Sequence, residues 1–459
     1  MSDSPTGMHA LTPQTRATVD GVIDYARKRV IYEDVPLDLP QTMIELAETA
    51  SGSISAEGMG SDRAIALFED VLAPTCLSTD HPGYLSFIPS APTKAASAFD
   101  LVVSASSIYG GSWLEGAGAV FAENEVLHWL AGEFGLPAGS GGVFVQGGTI
   151  GNLSALVTAR DVARRRRRAE GLPDPRRWIV VCSAEAHSSI ASAAEIMDVD
   201  VAPATPGEDG RLHGDAVARA LDEHGDAVFA VVATGGTTNF GIVDDIASIA
   251  DAATARGVWL HIDGAYGLAA MLVESMRPAF AGVERADSVI VDPHKWLFAP
   301  FDACALIYRD PDAARLAHTQ KAEYLDTLTD SPDWNPSDLA VQLTRRARGL
   351  PLWFSLAAHG TDQYRAAIAH GIDLARRIAD EIEARDGLSL VRQPQLSVVV
   401  FRREGWTMAD YQAWSDRLLR EQLAFVVPSS HAGEPVLRFA IISPLTSYEL
   451  LVEVLDTLG

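Results

Sequence analysis

Short apolar runs alternate with amphipathic stretches between about residues 141 and 310. The apolar runs predict strands at 143–146, 178–182, 227–233, 258–263, 288–291 and 304–308. Helical patterns follow several of these strands, at 151–168, 188–197 and 244–256. Apolar strands that alternate with helices predict an α/β fold, in which a mostly parallel central sheet carries helices on both faces. Ligands bind such sheets at the carboxyl ends of the strands, so we look for chemistry at those ends.

The regions on either side of this pattern predict a division of the chain into three parts. Residues 1–75 are helical in pattern, with a proline-rich break, and predict an N-terminal helical arm. Residues 76–340 predict a large domain, and about 311–340 of it, rich in proline and acidic residues, predicts a long mobile loop. Residues 341–459 predict a connecting helix and a small C-terminal α/β domain. The helix is expected at 343–384, followed by strand 396–402, helix 408–422, strand 436–442 and helix 447–458.

Composition and charge exclude several classes of partner. The chain has 459 residues, 47% of them hydrophobic, which is enough to bury a large core. Its net charge of −25 argues against general affinity for nucleic acid or anionic membranes, since both attract cations. No apolar run approaches the ~20 residues of a membrane span, and residues 1–14 lack a secretory signal, so we expect a cytoplasmic location. We interpret the arginine run 164–168 as a solvated helix end, with a nucleic-acid patch as the alternative.

The numbers and positions of the cysteines and lysines indicate more about the chemistry of the protein. The three cysteines lie far apart and form no CxxC pair, so we expect neither a structural zinc site nor a disulfide framework, and we predict no metal. Only four lysines occur, whereas arginine supplies the other 32 of the 36 basic residues. Arginine can neither lose its proton nor form an imine, so a lysine kept in an apolar, histidine-rich segment indicates a need for its amine. Lys295 is in such a segment, whereas the other three are Lys28, Lys94 and Lys321.

A glycine-rich segment, 146–152, follows the first predicted strand and opens a helix. Glycines let the backbone approach a ligand, and free N–H groups at a helix N-terminus favour a phosphate, with Thr149 as helix cap or phosphate donor. The spacing fits neither GxGxxG nor GxxxxGK[ST], which weakens the dinucleotide and nucleoside triphosphate interpretations. A plain glycine-rich turn is the alternative.

Three further strand ends carry residues with defined chemistry. His187 is placed either to stack on a planar ring or to start a helix. Asp263 ends an apolar strand, where its carboxylate needs a partner such as a cationic ring nitrogen, a helix cap or an ion pair. Lys295 as an imine-forming lysine requires a pKa lowered by apolar surroundings or nearby cations, whereas a lysine that reaches the surface does not. A phosphate cradle, a stacking histidine, a ring-pairing aspartate and an imine lysine are together the four roles that pyridoxal phosphate needs.

Three short segments, AHSS (186–189), LHIDGAYG (260–267) and DPHKW (292–296), resemble those of the group II pyridoxal-phosphate decarboxylases, the family of aromatic-L-amino-acid, histidine and glutamate decarboxylases. Segments 345–353 and 437–440 are also similar, and the resemblance runs from about residue 81 to the C-terminus. It implies the type I, aspartate-aminotransferase-like fold and a homodimer with active sites at the interface. It further implies decarboxylation of an L-amino acid, with an aromatic one favoured, to the amine and carbon dioxide. Another pyridoxal-phosphate-dependent lyase or transaminase reaction stays open, as does a ligand-binding domain without activity.

The resemblance also implies roles for individual residues. The cofactor contacts are Gly148 and Thr149 for the phosphate, His187 stacked on the ring, Thr238 beside it, Asp263 on the ring nitrogen, Ala265 under the ring, and the pair His294 and Lys295. The catalytic residues are Lys295, Asp263, His187 and Tyr324, the last on the predicted loop as the donor of a proton to the substrate carbon. Phe87, Ile88 and Ser90 are expected to face the substrate.

Asp292 departs from the family pattern, because aromatic decarboxylases often have an asparagine there that helps to hold the phosphate. A carboxylate cannot donate a hydrogen bond unless it is protonated. Asp292 is therefore expected to turn away or to cap a helix, and its role stays open.

Overall fold

The structure is a computed structural model and describes residues 7–320 and 334–459. Its strands, numbered along the chain, are β1 Gly141–Val145, β2 Ile179–Ser183, β3 Asp200–Ala204, β4 Val228–Thr234, β5 Trp259–Asp263, β6 Ser288–Val291, β7 Cys304–Tyr308, β8 Leu388–Leu390, β9 Val398–Arg403, β10 Ser429–His431 and β11 Glu434–Ala440. Its α-helices are α1 Pro13–Val30, α2 Met43–Ala50, α3 Ser61–Leu67, α4 Lys94–Ala105, α5 Trp113–Glu133, α6 Gly148–Ala169, α7 Ser188–Met197, α8 Gly214–His224, α9 Ile246–Arg256, α10 Pro311–His318, α11 Leu350–His359, α12 Thr361–Glu383, α13 Met408–Arg420 and α14 Tyr448–Asp456.

The central sheet has seven strands in the order β1-β7-β6-β5-β4-β2-β3. β7 runs antiparallel to both of its neighbours, and the remaining neighbours pair in parallel. Every residue of β1, β4, β6 and β7 is buried, because helices cover both faces of the sheet and apolar side chains suit both. The predicted α/β fold with a mostly parallel sheet is thus confirmed.

A strand and an α-helix between residues 141 and 310 are absent from the prediction. β3 forms one edge of the sheet, and its sequence, with Asp200, Pro203 and exposed positions, does not read as an apolar run. A proline cannot donate to a ladder and is confined to edge strands, which is where Pro203 lies. α8 follows β3 and was missed together with it.

The connecting region differs from the prediction in two places. The helix expected at 343–384 is wrong as a single element, because Gly360, with φ of 77°, separates α11 from α12. That left-handed conformation suits glycine and ends α11. The predicted loop 311–340 is helical at its start, since the Asp310 side chain caps α10 and Pro311 takes its first position.

A second, antiparallel sheet of four strands forms the C-terminal region, in the order β10-β11-β9-β8. α12, α13 and α14 accompany it in sequence, and Phe401, Phe439, Tyr411 and Trp414 share its core. This is the small α/β domain that the sequence predicts, with two short strands, β8 and β10, in addition.

The helices of the N-terminal region are hardly packed, whereas Val35 and Leu37, between α1 and α2, are buried. α1, α2 and α3 have no buried residue, although capping boxes at Thr12 and Thr42 start the first two helices regularly. Bidentate hydrogen bonds from Arg29 to Asp80, at 2.7 and 3.0 Å, tie α1 to the segment before α4. Within the described residues, no helix is both long and apolar enough to cross a lipid bilayer.

Candidate active site

One cavity of about 330 Å³ lies at the carboxyl ends of the parallel strands. Its wall includes residues that follow β1, β2, β4, β5 and β6, as expected for a parallel sheet covered by helices. All eight residues expected to contact the cofactor line this cavity: Gly148, Thr149, His187, Thr238, Asp263, Ala265, His294 and Lys295. The topology therefore brings together side chains that are up to 147 positions apart in sequence, from Gly148 to Lys295.

A larger cavity, of about 600 Å³, lies around the starts of β4 and β5, at the opposite ends of these strands. The described residues that line it include neither lysine nor histidine. Its arginines are engaged with protein acceptors: Arg166, for example, donates to the carbonyl of Gly257. Volume alone does not identify a site of chemistry, so the smaller cavity is the candidate.

The glycine segment forms one wall of the smaller cavity at the N-terminus of α6. A Cβ atom on Gly148 would lie 3.2 Å from Asp292 Oδ2 and 3.4 Å from the Cβ of Ala265, so a side chain there would crowd the cavity wall. A Cβ on Gly151 would come within 2.9 Å of Cys304 Sγ and of Ile290, which shows how closely α6 packs on the sheet. The N-terminus of the 22-residue helix α6 thus lies at the cavity, where its free backbone N–H groups favour an anion such as a phosphate.

Asp263 ends β5 as a buried carboxylate with two fixed donors. Its Oδ1 accepts from the backbone N–H of Ala265 at 3.2 Å, and its Oδ2 accepts from Asn152 Nδ2 at 2.9 Å. These neutral donors stabilise the charged carboxylate and orient it, while its side of the cavity stays accessible to a cationic partner. Sequence reasoning missed Asn152, although it is the last residue of the glycine-rich segment.

Lys295 is surrounded by carboxylates rather than cations. Its Nζ lies 3.2 Å from Asp292 Oδ2, and the same oxygen accepts from the N–H of Gly148 at 3.3 Å. Burial lowers the pKa of Lys295, but the charges of Asp292 and Asp263 more than reverse this, so its pKa lies above the ordinary value. The lowered pKa expected from the sequence is therefore wrong, because the pKa of the free Lys295 amine is raised. Asp292 lies against the helix N-terminus, which is one of the two positions expected for it.

His187 is the N-cap residue of α7 and also lines the cavity. Its Nδ1 accepts from the backbone N–H of Ser189 at 3.2 Å and lies 2.9 Å from the Ser189 hydroxyl. Because a backbone N–H only donates, the neutral ring carries its proton on Nε2. His187 therefore starts a helix, as one of the two interpretations holds, and its place in the cavity lining leaves the ring contact as a prediction.

The residues expected to face the substrate lie outside the lining of this cavity. Ile88 is part of the main core, and the buried hydroxyl of Ser90 donates to the carbonyl of Ala299 at 2.9 Å. Phe87 is 59% exposed with a left-handed φ of 54°, and Arg438 Nη2 donates both to its carbonyl and to that of Thr238. Arg438 thus ties the Phe87 segment to the cavity wall. Tyr324 lies outside the described residues, so its role stays a prediction.

A metal centre finds no support in the described parts of the chain. Among residues 7–320 and 334–459, no three His, Cys, Asp or Glu side chains are grouped so that they could hold a metal ion.

Comparisons with known proteins agree on one family. The profile of the pyridoxal-dependent decarboxylase conserved domain matches residues 40–404. An aromatic-L-amino-acid decarboxylase of Bacillus atrophaeus is 30% identical over 391 residues, which cover 82% of this chain and 80% of the relative. An L-2,4-diaminobutyrate decarboxylase of Rhizobium meliloti (strain 1021) is 32% identical over 397 residues, covering 83% and 77%. The crystal structure of Oryza sativa TDC with PLP and tryptamine superposes with a TM-score of 0.88 at 26% identity, over 100% of this chain and 99% of that one.

Proposed function

The chain belongs to the pyridoxal-dependent decarboxylase family, and we propose that its substrate is an aromatic L-amino acid. It is a pyridoxal-phosphate-dependent carboxy-lyase that converts an amino acid to the amine and carbon dioxide. The matched relatives named above are decarboxylases, so the alternative of transamination loses its support. One observation carries the assignment of residues: a lysine, a carboxylate, a histidine and a helix N-terminus, from four separate strand ends, line one cavity.

The residues present fit the cofactor. Gly148 and Thr149, at the N-terminus of α6, would hold its phosphate, with the Gly148 N–H exchanging Asp292 Oδ2 for a phosphate oxygen. Lys295 would anchor its aldehyde carbon through Nζ. Asp263 would face the ring nitrogen, with Ala265 and His187 on the two faces of the ring. Thr238 and His294 complete the wall. When bound, pyridoxal phosphate supplies a conjugated ring that takes up the electron pair left behind as the carboxylate departs.

The protein's own contribution to the reaction is orientation and proton control. Asp263, fixed by Asn152 and the N–H of Ala265, presents a carboxylate that holds a proton on the group it faces. His187 presents Nε2–H, because its Nδ1 is occupied as an acceptor. We assign delivery of the proton to the substrate Cα to Tyr324, assisted by His187. Asp292, 3.2 Å from Lys295 Nζ, holds the ammonium form of that amine whenever it is free.

An aromatic substrate is supported by two features. The Bacillus atrophaeus relative acts, by its name, on aromatic amino acids, and the ring of Phe301 forms part of the cavity lining. Phe87, tied to the cavity wall through Arg438, would contribute a second ring with Ile88 and Ser90 behind it. The diaminobutyrate decarboxylases are the main competitors, because their identities to this chain are similar.

We also propose a homodimer with active sites at the interface. Large apolar side chains are exposed on α1, α4 and α5, among them Ile23, Val102, Leu114 and Phe121. Large apolar side chains left exposed on these three helices support an interaction surface there. The division into an arm (1–75), a large domain (76–340) and a C-terminal part (341–459) belongs to this proposal, with the arm as part of the interface. The cytoplasmic location stays a prediction.

The test is an amino-acid panel with product detection. The purified protein with pyridoxal phosphate is expected to release carbon dioxide and amine from an aromatic L-amino acid faster than from 2,4-diaminobutyrate, glutamate or histidine. Lys295→Ala is expected to lose the absorbance band of the bound cofactor and at least 1,000-fold in kcat, since the anchoring amine is removed. Lys28→Ala, which changes an exposed lysine paired with Glu69, is the matched control. Faster turnover of diaminobutyrate would contradict the aromatic assignment, and an unchanged band in Lys295→Ala would contradict the site.

A further inference from the structure

Asn152 is a buried amide at the centre of a hydrogen-bonded chain behind the cavity. It lies in the first turns of α6, is 1% exposed, and contacts three polar side chains from other elements. Its Nδ2 donates to Asp263 Oδ2 and to Ser189 Oγ, each at 2.9 Å, and its Oδ1 lies 2.8 Å from His261 Nε2. No role was expected for Asn152 from the sequence.

The direction of every hydrogen bond in this network follows from the groups at its two ends, Trp259 and Asp263. At one end the indole N–H of Trp259, which can only donate, points at Ser288 Oγ at 2.9 Å. The Ser288 hydroxyl lies 2.8 Å from His261 Nδ1, and it donates to that atom when the neutral ring carries its proton on Nε2. His261 Nε2–H donates to Asn152 Oδ1, so both amide hydrogens of Asn152 face Asp263 and Ser189.

The reversed orientation of the Asn152 amide is excluded by the other end. A flipped amide would place Oδ1 at 2.9 Å from the Asp263 carboxylate, and two acceptors at that distance repel each other. Burial also lowers the pKa of His261, although the charge of Asp263 opposes this, so the ring stays neutral and the hydrogen bonds keep their directions near neutral pH.

The network of hydrogen bonds divides at Asn152 into two branches that end in the cavity. One amide hydrogen fixes Asp263, and the other fixes Ser189, whose hydroxyl is left to donate to His187 Nδ1 at 2.9 Å. A single amide thus orients both the carboxylate assigned to the ring nitrogen and the histidine assigned to the ring face. Buried networks of this kind hold functional side chains in one geometry when every member is satisfied.

We propose that Asn152 is a positioning residue, which acts through Asp263 to give the site its preference for a cofactor with a basic ring nitrogen and, through Ser189, orients His187. This inference rests on the proposed function. The Asp263 branch affects only a ligand with that nitrogen, whereas the Ser189 branch affects any flat ring.

The experiment compares the binding of two ligands to cofactor-free protein: pyridoxal phosphate and its analogue in which carbon replaces the ring nitrogen. The ratio of their dissociation constants, measured by fluorescence titration, is the readout. Wild-type protein is expected to prefer pyridoxal phosphate. Asn152→Leu and Asn152→Asp are expected to reduce this preference about tenfold, because the first removes the donor to Asp263 and the second sets another acceptor against it.

Two further variants separate positioning from folding. Ser189→Ala is expected to weaken both ligands alike, because it loosens only the histidine branch. Thr158→Val removes a buried hydroxyl of the same helix that bonds to Ser154 and His318, outside the chain of bonds, and is expected to leave the ratio unchanged. If Asn152→Leu weakens both ligands equally, or neither, the inference is wrong while the proposed function stands. If wild-type protein binds neither ligand, the proposed function fails. Equal binding of both ligands by wild-type protein would overturn the pairing of Asp263 with the ring nitrogen, and this inference with it.

Discussion

The N-terminal arm and the central sheet are both regular in secondary structure, yet they bury their side chains to opposite extents. All seven residues of β4 are buried, whereas none of the 18 residues of α1 is. Both regions satisfy their backbone hydrogen bonds, α1 within the helix from its Thr12 capping box and β4 with its neighbouring strands. Local hydrogen bonding therefore makes an element regular, but only burial of apolar side chains holds it to the rest of the molecule.

The difference extends to the charged residues. The sheet domain contains an ion pair, Glu123 with Arg345, in which both side chains are almost fully buried. Among its described residues, the arm has buried contacts only at Val35 and Leu37, and the side chains of its ion pair, Arg29 with Asp80, are 30% and 21% exposed. The cavity lies in the region with the buried core, as a site that must hold several side chains in one geometry requires. The exposed apolar residues of the arm are the reason for proposing it as a surface that packs against a second chain.

The largest expected effect comes from the core of the sheet domain. Phe229 in β4 is buried and packs edge-on against Trp178, with ring centroids 6.2 Å apart. Phe229→Ala should lower the free energy of unfolding by about 3–5 kcal/mol, because it leaves a cavity in a close-packed interior. Urea denaturation measures this loss, which should not depend on protein concentration.

Phe121 in α5 is the matched control, since it is the same residue type at 57% exposure. Phe121→Ala should change stability by less than about 0.5 kcal/mol at low protein concentration, with a larger effect as concentration rises if α5 lies in the dimer interface. Equal losses for the two variants at all concentrations would remove the proposed distinction between core and interface.

The second prediction concerns the buried ion pair. Glu123 accepts from both terminal nitrogens of Arg345, at 2.8 and 3.0 Å, and from the N–H of Gly349 at 2.7 Å. Glu123→Gln should lower stability by about 3 kcal/mol, because it leaves the Arg345 guanidinium buried without its counter-charge. Thermal unfolding followed by circular dichroism checks this. Arg346→Gln, which breaks the more exposed pair with Asp100, is the control and should change stability by less than about 1 kcal/mol.

These regions also differ in how far the sequence predicts them. The strands of the central sheet were predicted to within about two residues, because strands buried on both faces are continuous apolar runs. The edge strand β3 was missed, since exposure on one side permits Asp200 and Pro203. In the arm, the sequence predicts helices but gives no sign of what covers them.

The candidate site shows the same limit. The eight expected cofactor contacts follow predicted strands, so a parallel topology was enough to bring them to one cavity, and their roles stay predictions. The contacts of Asn152 with Asp263 and His261 join residues 111 and 109 positions apart, which no local pattern reveals. The pairing of Lys295 with Asp292 is local, three residues apart, and could have been recognised from spacing as a reason to expect a raised pKa.

The third prediction tests the arm as an interface. Ile23 in α1 is 41% exposed, and Asp24 beside it is exposed as well. Ile23→Asp should weaken self-association about thirtyfold, because an unpaired carboxylate in an apolar interface costs on the order of 2 kcal/mol. Sedimentation velocity over a range of concentrations measures this, with Asp24→Ala as the control. Unchanged association in Ile23→Asp would place the arm outside the interface.

The smallest expected effect is at the contact between arm and sheet domain. Burial raises the pKa of Asp80, but its hydrogen bonds and charge interaction with Arg29 outweigh this, so its pKa lies below the ordinary value. A carboxyl group with a lowered folded pKa stabilises the protein above its ordinary pKa and loses that contribution as pH falls through the folded pKa. Arg29→Met should therefore lower stability by less than about 1 kcal/mol at pH 7, and the difference from wild type should vanish in acid.

A buried acid of the sheet domain, Asp244, has a pKa shifted in the opposite direction to that of Asp80. Asp244 accepts from the N–H groups of Leu212 and Thr234, yet burial raises its pKa to about 6. The unfolded chain loses this proton at lower pH than the folded protein does, so the contribution of Asp244 to stability falls as pH rises from about 4 to 6 and is constant above that. Asp244→Asn should remove this slope, whereas Arg29→Met should not affect it. Urea denaturation of both variants between about pH 3 and 7 separates the two effects. If the Arg29→Met difference grew in acid instead of vanishing, Asp80 would not be the acid that holds the arm.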